Sequence, residues 1–481
     1  MVAWQARATI RASLFPRGGL LLSVRVDAPP AITAELAAFV ADLAYDDLPR
    51  QLVQVARRHV LDSLGVIAAG GHEPPARIAL AHARIIGGRA DALAAPLVAF
   101  VLGVRGHVLD YDDTQLATRP ESVYGLLTHP SVPVLAAALA TGAASGASGA
   151  EVFTAFVAGT EAECRIADAI APRHYQDGFH SSGTVGTLGA TLAAARVLRL
   201  DTATTCTALG IGASSAAGLR ENFGTMTKSL HVGRAAQHGV EAAYLARAGW
   251  TAAPDILEAR RGFFQAAGGG FDPALIDGRL GRPWYYLDPG VSIKPSPSGS
   301  LTHPAMWVFG ELIRRHDLRP EHVVSVRVGT NSSHPNALIH HRPRDPLTAK
   351  FSMEYALATL LARRRSGLAE YDDPAAVLSD EVQSLLPKID FGVDPIAEAA
   401  GFHRMLARIT VTTTDGRTLF AEGDAGRGHP ANPMSDDEVG AKFTDCARWG
   451  GLAGDGAALR ALVDRFETLD DVAPLLAELG L

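Results

Sequence analysis

From about residue 32 to 272 the chain repeats alanine, leucine and valine at helical spacing, and glycine, serine and threonine fill many of the positions between them. In "ITAELAAFVADLAYDDLPRQLVQVARRHVLDSLGVIAAGG" the breaks fall at Gly and Pro, so the segment reads as successive helices rather than one. "VPVLAAALATGAASGASGAEVFTAFVAGTEAECRIADAI" is richer still in small side chains. Such helices let neighbouring axes approach closely and bury more than one face, which a lone amphipathic helix never needs. The stretch therefore predicts a large helical domain.

After the glycine-rich "AAGGGFDP" at 266 to 273 the pattern changes. "HVVSVRVGT" (322 to 330) and "ARITVTTTDGRTLFAEG" (407 to 423) alternate with period two, the second around an Asp-Gly hairpin signal, and an amphipathic helix, "DPLTAKFSMEYALATLLARRRSG", lies between them. The tail from "SDDEVGAKFTDCARWGG" onward returns to helical spacing, with Ser435 as its N-cap. The expected fold class is mainly α: an all-helical domain from 32–275 and 426–481, and a smaller α+β lid domain from 276–425. Residues 1–31 hold Arg7, Arg11, Arg17 and Arg25 before any acid, and read as a poorly ordered extension whose composition also suits a transit segment.

Composition excludes several function classes. With 44 basic and 51 acidic residues the net charge is −7, without a basic run to serve as a nucleic-acid footprint. No apolar run reaches the roughly eighteen residues a membrane span requires. The 3 cysteines, Cys164, Cys206 and Cys446, are odd in number and far apart, which fits a reducing, cytoplasmic setting rather than a disulfide framework or thiolate metal cluster.

The chemistry concentrates in five polar segments. "HVLDYDDTQLATRPESVYGLLTHPS" (107 to 131) carries Asp110, Asp112 and Asp113. As an Mg²⁺ site it lacks a second acidic cluster and a basic phosphate clamp. As the proton donor of a terpene cyclase it would need an aromatic cavity that 6% aromatic residues hardly supply. A solvated helix end is the plain alternative. Four further segments set a basic residue beside Gly, Ser or Thr at a helix start: "LLTHPSVP" (His129), "DGFHSSGTVGTLGA" (His180), "GTMTKSLHVGRAAQHG" (Lys228, His231) and "VSIKPSPSGSLTHPA" (Lys294, His303). "GTVGTLG" departs from the dinucleotide fingerprint and follows no strand, so it reads as close helix packing.

In order and spacing these five segments, with "ARRHVLDSLGVIAAG" and "AKFSMEYALA", resemble the MmgE/PrpD family over nearly the whole chain from about 32 to 470. The resemblance implies the same two-part architecture, a homodimer, no required cofactor or metal, and an active site between the domains. Asp110 and Thr114 match the family's Asp-x-Asp-Asp-Thr motif, and His129, His180, Lys228, His231 and Lys294 match its basic positions. The implied catalytic set is His129, His180, Asp110, Lys228 and Lys294, with Thr114, His231, Thr128, Ser181 and His303 as substrate contacts. Two departures stand out: Leu102 where many members have Asn, and "SPSGS" where many carry cysteines.

The implied substrate is a small di- or tricarboxylate. Charge builds on a carbon beside a carboxylate, and lysines and helix N-termini stabilise it. The histidines move protons. Dehydration of a citrate-like hydroxy acid, in the manner of 2-methylcitrate dehydratase, is the first expectation. Decarboxylation of cis-aconitate, epimerisation of iminodisuccinate and a non-catalytic binding protein are the alternatives. Arg119, Arg220 and Arg234 are the arginines that the sequence offers for further carboxylates.

Overall fold

The computed structural model describes residues 31–87, 93–120, 122 and 125–481; apart from Ala31, the expected N-terminal extension lies outside them. The predicted helices form. They are α1 (Ile32–Asp42), α2 (Arg50–Ala69), α3 (Pro74–Ile86), α4 (Ala95–His107), α5 (Ser131–Ser145), α6 (Gly149–Ala169), α7 (Ser181–Val197), α8 (Thr202–Ser215) and α9 (Thr227–Arg247). Ser148 caps α6 through a reciprocal capping box with Glu151, and the Asp201 side chain caps α8.

Small residues set the packing. Helix α9 lies against both α4 and α7, and α5 packs on α4 and α7. At the α4–α9 crossing a Cβ on Gly103 would stand 2.8 Å from Gly233 Cα, so the two backbones meet where neither residue has a side chain. Helix α4 is accordingly buried over nearly its whole length.

One feature of this unit departs from the all-helical expectation. A three-stranded antiparallel sheet, β1 (Thr114–Leu116), β2 (Leu126–Thr128) and β3 (Val291–Ser292), sits among the helices in the order β2-β1-β3. Strands of two or three residues are too short to display alternation, so sequence pattern misses them. Pairing of Thr114 with Ser292 and of Gln115 with Thr128 ties the aspartate segment to the Lys294 and His129 segments.

The second unit carries a four-stranded sheet, β4 (Val323–Thr330), β5 (Ile389–Val393), β6 (Ala407–Thr413) and β7 (Thr418–Gly423), in the order β5-β4-β6-β7. Asp415 and Gly416 turn the β6–β7 hairpin, with Gly416 at φ +84°. Helices α10 (His303–His316) and α11 (Met353–Arg363) cover one face, and their apolar residues share a core with Val326, Ile409 and Val411. The chain then returns: α12 (Asp436–Trp449), capped by Ser435, packs on α2. Residues Ile276, Trp284, Tyr286 and Ile293 pack in the first core, so the crossing to the second core follows Ile293. Among the described residues no helix is long and apolar enough to cross a membrane.

Candidate active site

Asp110 follows α4 and adopts φ 52°, a left-handed conformation uncommon for a residue with a side chain. Its surroundings hold it there. Lys228, in the first turn of α9, donates to Asp110 Oδ1 at 2.5 Å. Lys294, just beyond β3, donates to the Asp110 carbonyl at 2.8 Å and lies 3.3 Å from Oδ2. All three are buried. Burial alone would raise the Asp110 carboxyl, but the two ammonium groups outweigh it and hold the group well below the usual carboxylate range. Burial also pulls Lys294 down, against the pull of Asp110. Two cations thus share one anion.

Behind this trio the remaining acids orient imidazoles. Asp112 Oδ2 accepts from His107 Nδ1 at 2.7 Å and lies 3.7 Å from His129 Nδ1, which is 2.8 Å from the Asp113 carbonyl. Asp113 instead pairs with His59 at 2.6 Å and accepts from Ser131. The rings of His107 and His129 lie 4.8 Å apart, and those of His107 and His180 are stacked at 5.5 Å. Burial drives His129 down to about 3, with Asp112 opposing and Lys294 reinforcing the shift. Burial likewise depresses His107 and His180 well below the ordinary range, with help from nearby cations. The free site at neutral pH therefore holds neutral imidazoles beside ammonium groups. His107, Asp112 and His129 are close enough to gather a metal ion, with ligand atoms within 4.8 Å of one another. Asp112 Oδ2 is engaged by His107 and ammonium groups stand nearby, whereas Asp112 Oδ1 and His107 Nε2 are buried without a hydrogen-bond partner.

Asp110, His129, His180, Lys228 and Lys294 line a cleft of about 540 Å³, open solvent at its mouth included. Its polar lining is Asp110, Thr128, His129, His180, Ser182, Lys228, Lys294 and Ser300. Its apolar lining includes Leu126, Leu127, Phe223, Leu301, Leu338 and Phe351, with the rings of Phe223 and Phe351 5.3 and 5.6 Å from Lys228 Nζ. Ser300, from the "SPSGS" segment, bonds Thr114 Oγ1 at 2.9 Å. Helices α5, α7 and α9 all begin beside these polar groups, which adds to the positive potential of the cleft.

Of the residues singled out from sequence, Asp110, Thr128, His129, His180, Lys228 and Lys294 line this cleft, and Thr114 reaches it through Ser300. Three stand elsewhere. Ser181 lines the adjoining cavity, while its neighbour Ser182 faces the cleft and accepts from the His129 N–H at 2.9 Å. His303 turns to Ser298, with Nε2 3.4 Å from its Oγ. His231 lies behind His180, Nδ1 to Nδ1 at 3.1 Å. None of the three candidate arginines lines the cleft: Arg119 pairs with Asp168, Arg220 stacks on Tyr175, and Arg234 bonds Gln237. Sequence reasoning gave no site role to His107, Asp112 or Glu163, although it weighed Asp112 as a metal ligand. The buried Glu163 accepts from Thr128 at 2.8 Å, and burial raises its carboxyl well above the usual range. The spacing of His107 three residues before Asp110 was the available signal for the first two; Glu163 had none, being one acid in a helix.

The chain matches the MmgE/PrpD N-terminal domain over residues 34–276 and the MmgE/PrpD C-terminal domain over residues 296–467. It belongs to the MmgE/PrpD family. This family member is 28% identical over 437 residues to the cis-aconitate decarboxylase of Homo sapiens, covering 86% of this chain and 87% of that protein. It is 24% identical over 490 residues to the cis-aconitate decarboxylase of Aspergillus terreus, covering 94% and 96%. It is 27% identical over 480 residues to the cis-aconitate decarboxylase-like protein oryM of Aspergillus oryzae, covering 93% and 96%. At the level these relatives share, the MmgE/PrpD chain is a lyase.

Proposed function

We propose that the protein decarboxylates a cis-aconitate-like unsaturated tricarboxylate, rather than dehydrating a citrate-like hydroxy acid. The observation that carries this reading is a cleft in which two ammonium groups, those of Lys228 and Lys294, meet a lining otherwise rich in apolar side chains. A carboxylate set against apolar side chains loses hydration and gains no ion pair there, whereas departing CO₂ is neutral and apolar. The retained carboxylates face Lys228 and Lys294, which stabilise the carbanion charge as it spreads onto them. The names of the relatives point the same way.

In this scheme the carboxymethyl C–C bond breaks and CO₂ leaves. The freed pair forms a new C=C bond, and the old double-bond pair moves to the carbon beside a retained carboxylate. That carbon takes a proton from His129 or His180. The substrate trianion itself raises the affinity of these imidazoles for protons, since a nearby negative charge favours the charged form. Thr114 and Ser300 hold a substrate oxygen. A homodimer, a cytoplasmic setting and independence of cofactors complete the proposal; the three buried free cysteines suit a reducing compartment.

The test is proton NMR of purified protein incubated separately with cis-aconitate, 2-methylcitrate, citrate and iminodisuccinate. Itaconate from cis-aconitate is the expected result. A vinylic product from either hydroxy acid, with cis-aconitate untouched, would return the reaction to dehydration. Deuterium entering iminodisuccinate in D₂O with loss of stereochemistry would make it an epimerase. Loss of turnover in His129→Ala and His180→Ala with an unchanged melting curve is expected; a fully active variant would remove that residue from the mechanism.

A further inference from the structure

His180 and His231 join two separate spaces. His180 lines the substrate cleft, and its Nε2 is buried without a hydrogen-bond partner. Its Nδ1 lies 3.1 Å from His231 Nδ1. His231 lines a second cavity, of about 710 Å³ with its open mouth included, on the other side of α9's first turns. Glycines make room for the imidazole there: a Cβ on Gly218, at φ +150°, would lie 3.2 Å from His231 Cγ, and one on Gly183 3.1 Å from His231 Cβ. Gly218 also accepts from the His180 N–H at 3.0 Å, which fixes the two histidines against each other. The charged and titratable groups around the pair are Lys228 on its own helix, His107 stacked on His180, and Arg234 and His238 lining the second cavity. Arg234 is engaged by Gln237 at 2.7 Å and His238 by the Ser215 carbonyl at 3.2 Å.

We infer that His231 is a proton relay that lends His180 a proton from the second cavity while substrate fills the cleft, by a route separate from that cleft. The inference rests on the decarboxylase reading in one respect: releasing CO₂ from a carboxylate trianion and protonating carbon consumes one proton per turnover, while substrate fills the cleft. His180 Nε2–H gives its proton to carbon. His180 Nδ1 takes the proton of His231 Nδ1–H, and His231 Nε2 takes one from water in the second cavity. Both rings begin and end neutral, which suits a buried pair whose charged forms are disfavoured. When product leaves, water entering the cleft protonates His180 Nε2, the shared proton moves back to His231 Nδ1, and His231 Nε2 returns the borrowed proton to the second cavity. His231 is on this account a positioning and relay residue with no substrate contact.

The test compares His231→Gln and His231→Ala in the full-length protein with cis-aconitate. Both should lose about tenfold or more in kcat, as expected for removal of a proton-transfer group, with KM for cis-aconitate nearly unchanged. Added imidazole should restore the Ala variant, whose cavity admits it, and leave the Gln variant unrestored. A Gln variant with wild-type kcat, or an Ala variant deaf to imidazole, would overturn the relay and leave His231 a structural partner. A second measurement needs no turnover or mutant: diethyl pyrocarbonate mapping of wild-type protein by peptide mass spectrometry, with and without tricarballylate. His231 should be modified equally in both conditions. An unmodified His231, or one shielded by tricarballylate along with His129, would overturn the separate route. If wild-type protein leaves cis-aconitate unchanged, the proposed reaction fails while the mapping still decides whether His231 opens on its own cavity.

Discussion

Two ammonium groups on one carboxylate define the reactive end of the cleft, and removing either cation has a calculable direction. Lys228→Met leaves Asp110 paired with Lys294 alone. The variant should fold, with kcat/KM for cis-aconitate down by about a hundredfold or more, the scale of losing one preorganised charge partner; steady-state kinetics beside calorimetry checks both halves. The histidines yield a second expectation. With burial holding His129 at about 3 in the free protein, kcat/KM should show no ionisation of this group near neutrality. Bound trianion raises it, so the corresponding limb of the kcat profile should lie at higher pH than that of kcat/KM. Coincident limbs in the two pH profiles would show that substrate charge does not reach His129. At this scale the sequence showed which polar residues come together more clearly than what each contacts. His129, His180, Lys228 and Lys294 stood out as basic groups at expected helix starts and Asp110 as one of an acidic cluster, in which Asp112 and Asp113 looked alike and yet serve different imidazoles.

The elements show how far local pattern reaches. Helical spacing, the Ser435 cap and the Asp-Gly hairpin are short-range effects, and each is present as the sequence suggests. Small residues at helix crossings were legible too, and they make a sharp test. Gly103→Ala would set a Cβ 2.8 Å from the Val232 carbonyl and from Gly233 Cα, contacts that backbone cannot evade without moving α4 or α9. A loss of about 1–3 kcal/mol in unfolding free energy is expected from such overpacking; denaturant titration that shows no loss would mean the crossing relaxes freely. The short β1–β3 sheet was illegible, since its pairing joins residues far apart in the chain and its strands hold too few positions for a period.

The whole molecule carries a set of buried neutral histidines, and their protons set its acid stability. Burial lowers His129, His303 and His334 to about 3 and His174 to about 4, against 6.5 in the unfolded chain. Between those values the unfolded state binds more protons than the folded one. Stability is therefore full above about pH 6.5 and falls as pH falls towards the folded values, by about 1.4 kcal/mol per pH unit for each such histidine. His334→Gln, outside the cleft lining, should make the slope of unfolding free energy between pH 6 and 4 shallower by about that one increment; urea titrations across this range decide it. An unchanged slope would show that His334 protonates in the folded state.

Sequence by itself determined the helix-dominated architecture, the separate α+β unit and the five polar segments, because helix period, turn chemistry and motif spacing act over a few residues. Tertiary structure alone decided that Lys228 and Lys294, 118 and 184 positions from Asp110, converge on it. It decided as well that Ser182 rather than Ser181 faces the cleft, and that His231 turns to a cavity of its own. Burial and charge at a site are sums over neighbours that the chain brings together only when folded, and no local pattern encodes them.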